Sequence, residues 1–115
     1  MDTFEVLRTK QAVVAAAQRA FHGGLQTNVG GNLSARIPAA DACVIKATGM
    51  GFAECTVDNL SVVGLDGKLL EGGQPTSDVA IHLAIYQRRP DVQGIAHAHT
   101  PWATGWAAAG LAPLP

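Results

Sequence analysis

The stretch Gly94-Ile95-Ala96-His97-Ala98-His99-Thr100 is apolar, is closed by Pro101, and reads as a short buried strand. Side chains two apart on a strand leave from one face, so His97 and His99 point together and Ala96 and Ala98 point the other way. The two histidine Cα atoms then lie about 6.5–7 Å apart. From there two imidazoles can converge on one ion at about 2.0–2.1 Å each. The same pair also reads as two hydrogen-bonded histidines ending a strand, since histidine serves both purposes.

Around this stretch lie 115 residues, 48% hydrophobic and 15% charged, with a net charge of −1. That composition describes one small globular domain, residues 1–115, long enough to bury most of its apolar surface. With no basic run beyond Arg88-Arg89, the chain carries no electrostatic footprint for nucleic acid. The start Met1-Asp2-Thr3-Phe4-Glu5 lacks a basic and then apolar leader, and no uninterrupted apolar span is of membrane length. A cytoplasmic protein is the expectation. Cys43 and Cys55 are too far apart for a CxxC motif and are expected to be reduced and packed.

In chain order, Asp2 caps a first helix, with Glu5 in the capping-box position. Val6, Val13, Val14, Ala17, Ala20 and Phe21 form its core face at helical spacing, with Lys10 intruding. Gly23-Gly24 ends the helix, and His22 suits its C-terminal dipole. Thr27-Asn28-Val29-Gly30-Gly31-Asn32 is a turn whose N–H groups can form an anion nest, feeding a strand Leu33–Ile37. A second strand, Cys43–Thr48, ends in Thr48-Gly49-Met50-Gly51. Thr56 with Asp58-Asn59 suggests a helical turn, and Ser61–Leu65 a third strand. Asp66-Gly67 signals a hairpin returning antiparallel over Lys68–Glu71. Gly72-Gly73-Gln74-Pro75-Thr76-Ser77-Asp78 opens a helix from about Asp78 to Arg88, capped by Thr76 or Ser77, with Val79, Leu83 and Tyr86 on one face and His82 beside them. Hydroxyls and N–H groups at a helix N-terminus favour an anionic ligand such as phosphate. A last helix, Pro101–Ala109, carries Trp102 and Trp106 on one face.

Taken together, Gly31-Asn32-Leu33-Ser34, Thr48-Gly49, the Asp66-Gly67 hairpin, Pro75-Thr76-Ser77-Asp78 with His82 and Tyr86, and His97-Ala98-His99 resemble the N-terminal half of the class II aldolase/adducin family. The resemblance covers about residues 5–110; the order and spacing of the motifs make it specific. It implies an α/β fold, an α/β/α sandwich around a largely antiparallel central sheet, truncated because the family chain runs to roughly twice this length. It implies a divalent metal, zinc by preference, with His97 and His99 as ligands and a third histidine in the part beyond this chain. It implies a substrate phosphate held by Gly31, Asn32, Thr48, Gly49, Thr76 and Ser77. Asp78 falls where the family aldolases have a glutamate that serves as acid/base and resting-state metal ligand, so the carboxylate is shorter by one methylene.

The activity so implied is metal-dependent retro-aldol chemistry through an enolate, by an aldolase-type lyase acting on a small phosphorylated ketose or hydroxy acid. Two further readings belong to the same scaffold: a related epimerase or dehydratase, and a non-catalytic adducin-like interaction module. A sheet cut off half-way leaves an open strand edge, and the Trp102/Trp106 face has few partners, so a homo-oligomer is expected.

Overall fold

The computed structural model describes residues 1–25 and 29–113; Thr27 and Asn28 of the expected anion turn lie outside them. Helix α1 runs Thr3–His22, and the Asp2 carboxylate accepts from the Phe4 N–H at its start. Strands β1 (Asn32–Arg36), β2 (Ala42–Ile45), β3 (Ser61–Gly64), β4 (Leu69–Glu71) and β5 (Gly94–His97) form one sheet in the order β4-β3-β2-β1-β5, every pairing antiparallel. Among the described residues, helices α2 (Val79–Arg88) and α3 (Pro101–Ala108) and a 3-10 turn at Phe52–Glu54 complete the set of elements. Among the described residues no helix is long and apolar enough to cross a membrane.

Strand alternation divides the sheet between two apolar layers. Leu33, Ile37, Val44 and Val62 pack with Val6, Val13, Ala17 and Ala20 of α1, together with Phe52 and Leu60. Cys43, Ile45 and Val63 face the other way and pack with Leu83 and Tyr86 of α2. The result is an α/β fold with helices on both faces of an antiparallel five-stranded sheet. Cys43 and Cys55 are free thiols, both buried.

Several local expectations change. Phe21 is 47% exposed and lies outside the core face, one residue before α1 ends, whereas its neighbour Ala20 is buried. Lys10 belongs to the buried face and is paired with Glu71 of β4, which neutralises the charge that made it look intrusive. The N-cap of α2 is Asp78, not Thr76 or Ser77, and its side chain makes no capping bond. With ψ of 9° the residue lacks the extended backbone that aims a cap side chain at the next N–H groups. Finally, β5 is an edge strand whose residues alternate between exposed and half-buried. Its apolar composition suits the interior, but β1 is its sheet partner, on one side only.

Candidate active site at one end of the sheet

Antiparallel pairing brings the start of β1, the end of β2, the start of β3 and the end of β5 to the same edge of the sheet. Asn32 is registered opposite His97, and Ser34 opposite both Ile45 and Ile95. The residues singled out from sequence are therefore gathered by topology, from segments far apart in the chain.

The loops at this edge are strapped to one another. Ala47 bridges Pro75, the Thr48 N–H donates to the Gln74 carbonyl at 3.0 Å, and the Thr76 N–H donates to the Lys46 carbonyl at 3.0 Å. This places the Thr48-Gly49 turn beside the Thr76-Ser77 segment. Gly31, at φ +86°, sits against β5: a Cβ there would stand 2.7 Å from the His97 carbonyl oxygen. Only a residue without a side chain allows that approach. Beneath the loops lies Lys46, 2% exposed, whose ammonium donates to the Met50 carbonyl at 2.5 Å and to the Val29 carbonyl at 3.5 Å. Burial holds its pKa below the usual lysine value, opposed by nearby acidic groups including Asp78.

The histidine stretch ends its strand at His97, so His99 lies just past the pleat. Even so the two rings stand side by side, centroids 4.8 Å apart and planes at 48°. The Asp78 carboxylate lies 3.3 Å from His97 Nδ1. Two imidazoles and a carboxylate are donors of the kind zinc takes, so the chemistry of the set fits such an ion. Among the described residues, however, no group of three or more His, Cys, Asp or Glu is clustered as a metal site.

Behind Asp78 runs a buried polar chain. The Asn32 amide Nδ2 donates to Asp78 Oδ2 at 2.9 Å and to Thr76 Oγ1 at 3.4 Å, while its Oδ1 meets His82 Nε2 at 2.5 Å. His82 Nδ1 contacts Ser34 Oγ at 2.6 Å, and Ser34 Oγ contacts the Tyr86 hydroxyl at 2.7 Å. Burial, reinforced by the His97 ring and only partly offset by Asp78, lowers the His82 pKa to about 4. Tyr86 is pushed up to about 12 by burial, against the Ser34 hydrogen bond. Both rings are neutral across the physiological range.

Of the residues picked out from sequence, Asn32, Thr76, Asp78 and His97 are linked directly, and the His99 ring lies tilted beside that of His97. Gly31 abuts the end of β5. Thr48, Gly49 and Ser77 are exposed on the strapped loops. The sequence reading gives no role to Ser34 or Lys46; it sets His82 and Tyr86 on a helix face and among the motifs of the family resemblance, but not in the hydrogen bonds they share with Ser34. Their signal was present: Asn32-Leu33-Ser34-Ala35-Arg36-Ile37 alternates polar and apolar, and His82 and Tyr86 are four apart on α2, so they stack along one helix face.

Residues 11–115 match the family described as Class II Aldolase and Adducin N-terminal domain. The chain is 43% identical over 106 residues to an L-ribulose-5-phosphate 4-epimerase, UlaF, of Salmonella paratyphi C, which covers 91% of this chain and 46% of that protein. Its fold is similar to the L-fuculose 1-phosphate aldolase of Glaciozyma antarctica, with TM-score 0.84 and 29% identity over 96% of this chain and 47% of that one. It is also similar to the Escherichia coli YgbL structure, described as a putative aldolase/epimerase/decarboxylase, with TM-score 0.83, 28% identity, 89% of this chain and 49% of that one. The chain thus spans about half the length of the curated relatives it matches.

Proposed function

The chain belongs to the class II aldolase and adducin family, and from that premise we propose that it supplies the substrate-facing machinery of a sugar-phosphate 4-epimerase. Retro-aldol and aldol steps on a phosphorylated ketose would make up its reaction. The observation that carries the reading is the Asp78 carboxylate, held between the Asn32 amide and the His97 ring with His99 alongside. Inversion, in preference to net cleavage, is supported by the 42–43% identity to ribulose-phosphate epimerases, against 26–30% to fuculose-phosphate aldolases.

In a 2-ketose phosphate the C4 hydroxyl lies β to the C2 carbonyl. Loss of its proton breaks the C3–C4 bond, the electron pair passes to the carbonyl oxygen as an enediolate, and C4 becomes an aldehyde. Re-addition to the opposite face of that aldehyde inverts C4; release of the two pieces is cleavage. One machinery serves both outcomes, and retention of the aldehyde decides between them.

Asp78 takes and returns the C4 hydroxyl proton at its carboxylate, aimed by Asn32. Gly49 and the exposed hydroxyls of Thr48 and Ser77 orient the phosphate, on loops held in place by the Thr48 and Thr76 N–H groups with Gly31 and Asn32 forming the floor, and Lys46 places a positive charge beneath them. His97 and His99 would hold a divalent metal, zinc by donor type, which when bound supplies Lewis-acid polarisation of the carbonyl.

Incubation of the protein with L-ribulose 5-phosphate and Zn²⁺, followed by NMR of the sugar, tests the proposal. Inversion at C4 is expected, abolished by a chelator and lowered by about 100-fold or more in His97→Ala. Metal-loaded protein that leaves the sugar unchanged overturns the reading, and cleavage of L-fuculose 1-phosphate instead returns it to a lyase.

A further inference from the structure

Three residues of the chain behind Asp78 are buried away from any substrate: His82 is 0% exposed, Tyr86 1% and Ser34 5%. Their hydrogen bonds nevertheless admit a single ordering of protons. The Asn32 amide must turn Nδ2 toward Asp78, since the reverse would set a carbonyl oxygen against a carboxylate. Its Oδ1 then faces His82 Nε2 and needs a donor there, so the ring carries its proton on Nε2. The bare Nδ1 accepts from the Ser34 hydroxyl, which in turn accepts from Tyr86. Every donor points the same way, from Tyr86 through Ser34, His82 and Asn32 to Asp78.

We propose that His82 is a positioning residue: its Nε2–H fixes the orientation of the Asn32 amide, and through that amide holds the Asp78 carboxylate against His97. A proton relay is excluded by the amide in the middle of the chain, which donates and accepts but does not pass a proton along. The depressed basicity of the ring agrees, since a neutral imidazole keeps one nitrogen as an acceptor for Ser34. Acting at one remove, His82 rests on the proposed reaction only for its catalytic consequence.

The first test is ¹⁵N NMR of the intact chain, which reads the His82 tautomer directly. The Nε2–H form alone is expected at neutral pH; an Nδ1–H form overturns the proposal. The second test compares His82→Gln with His82→Leu. A glutamine amide presents one donor and one acceptor spaced like the two ring nitrogens, whereas leucine fills the space with neither. The Asn32 side-chain NH₂ resonances should keep their wild-type positions in His82→Gln and move in His82→Leu. In the epimerase assay, kcat should fall about 10- to 100-fold in the leucine variant, with KM nearly unchanged and most of the loss restored by glutamine. Equal behaviour of the two variants overturns the proposal. Should wild-type protein show no turnover, the catalytic reading fails while the tautomer and amide resonances still decide this one. The wild-type tautomer also decides it if the leucine variant does not fold.

Discussion

Asn32 and Asp78 stand 46 residues apart in the chain and meet through one hydrogen bond, 2.9 Å from the amide Nδ2 to the carboxylate Oδ2. The contact joins the first residue of β1 to the N-cap of α2, and it explains why that N-cap gives its helix no side-chain bond. A capping aspartate normally contributes about 1 kcal/mol to its helix. Here the carboxylate is turned toward the end of the sheet instead, and what it does for the helix is secondary to what it does beside His97.

Replacing that amide with a carboxylate of the same shape should be costly. Asn32 is 1% exposed, so Asn32→Asp buries a second acid against Asp78 in place of a donor. Urea denaturation at pH 8 should show a loss of about 2–4 kcal/mol. Part of it should return at pH 5, as one of the two acids takes up a proton and can donate to the other.

Two glycines with similar backbone angles should respond differently to alanine. Gly31 and Gly49 have φ of 86° and 72°, and each substitution carries about 1–2 kcal/mol of left-handed strain. At Gly49 a Cβ meets nothing within 4 Å, whereas at Gly31 it meets the His97 carbonyl oxygen at 2.7 Å. Thermal unfolding should rank Gly31→Ala clearly below Gly49→Ala. Only the former should move the His97 and His99 ring resonances.

His82 should make the fold acid-sensitive. Its pKa falls from an ordinary 6.5 to about 4 in the folded protein. Between those values the unfolded chain binds a proton that the folded one refuses, so stability rises with pH across the window and is lost on acidification. The slope attributable to this ring is at most about 1.4 kcal/mol per pH unit. Chemical denaturation of wild type and His82→Gln between pH 4 and 7 should give a shallower dependence for the variant, with the other groups cancelling in the comparison.

Arg36 closes the far end of α2. Its guanidinium donates to the carbonyls of Tyr86 at 2.8 Å, Arg89 at 3.2 Å and Val92 at 3.0 Å, and lies 4.8 Å above the Tyr86 ring. Lysine keeps the charge but not the planar fork. Arg36→Lys should therefore cost about 1–3 kcal/mol, read by urea titration. Hydrogen exchange should rise first at Tyr86 to Arg89.

Much of the architecture was legible because it follows from period alone. The apolar stripe of α1, the Asp66-Gly67 hairpin and the face of α2 that carries Leu83 and Tyr86 needed no tertiary information. Hydropathy reads strand β5 as interior because it reports what a segment prefers to touch, whereas its place at the edge is set by the strand order. Thr76, Ser77 and Asp78 are all good caps by composition, and the choice of Asp78 rests on a backbone angle that composition does not encode. His97, His99 and Asp78 stood out by residue type. Ser34 did not, since a serine on an alternating strand reads as solvent-facing; here its face of the sheet is covered by α2.

Because β1 sends Leu33 and Ala35 into the apolar layer under α1 and Asn32, Ser34 and Arg36 toward α2, one pleat encodes both the packing and the polar machinery. A single-residue insertion or deletion inside it would exchange the two sets at a stroke. Drift in this segment is thus confined to point substitutions, and length variation among descendants must accumulate in the connecting turns.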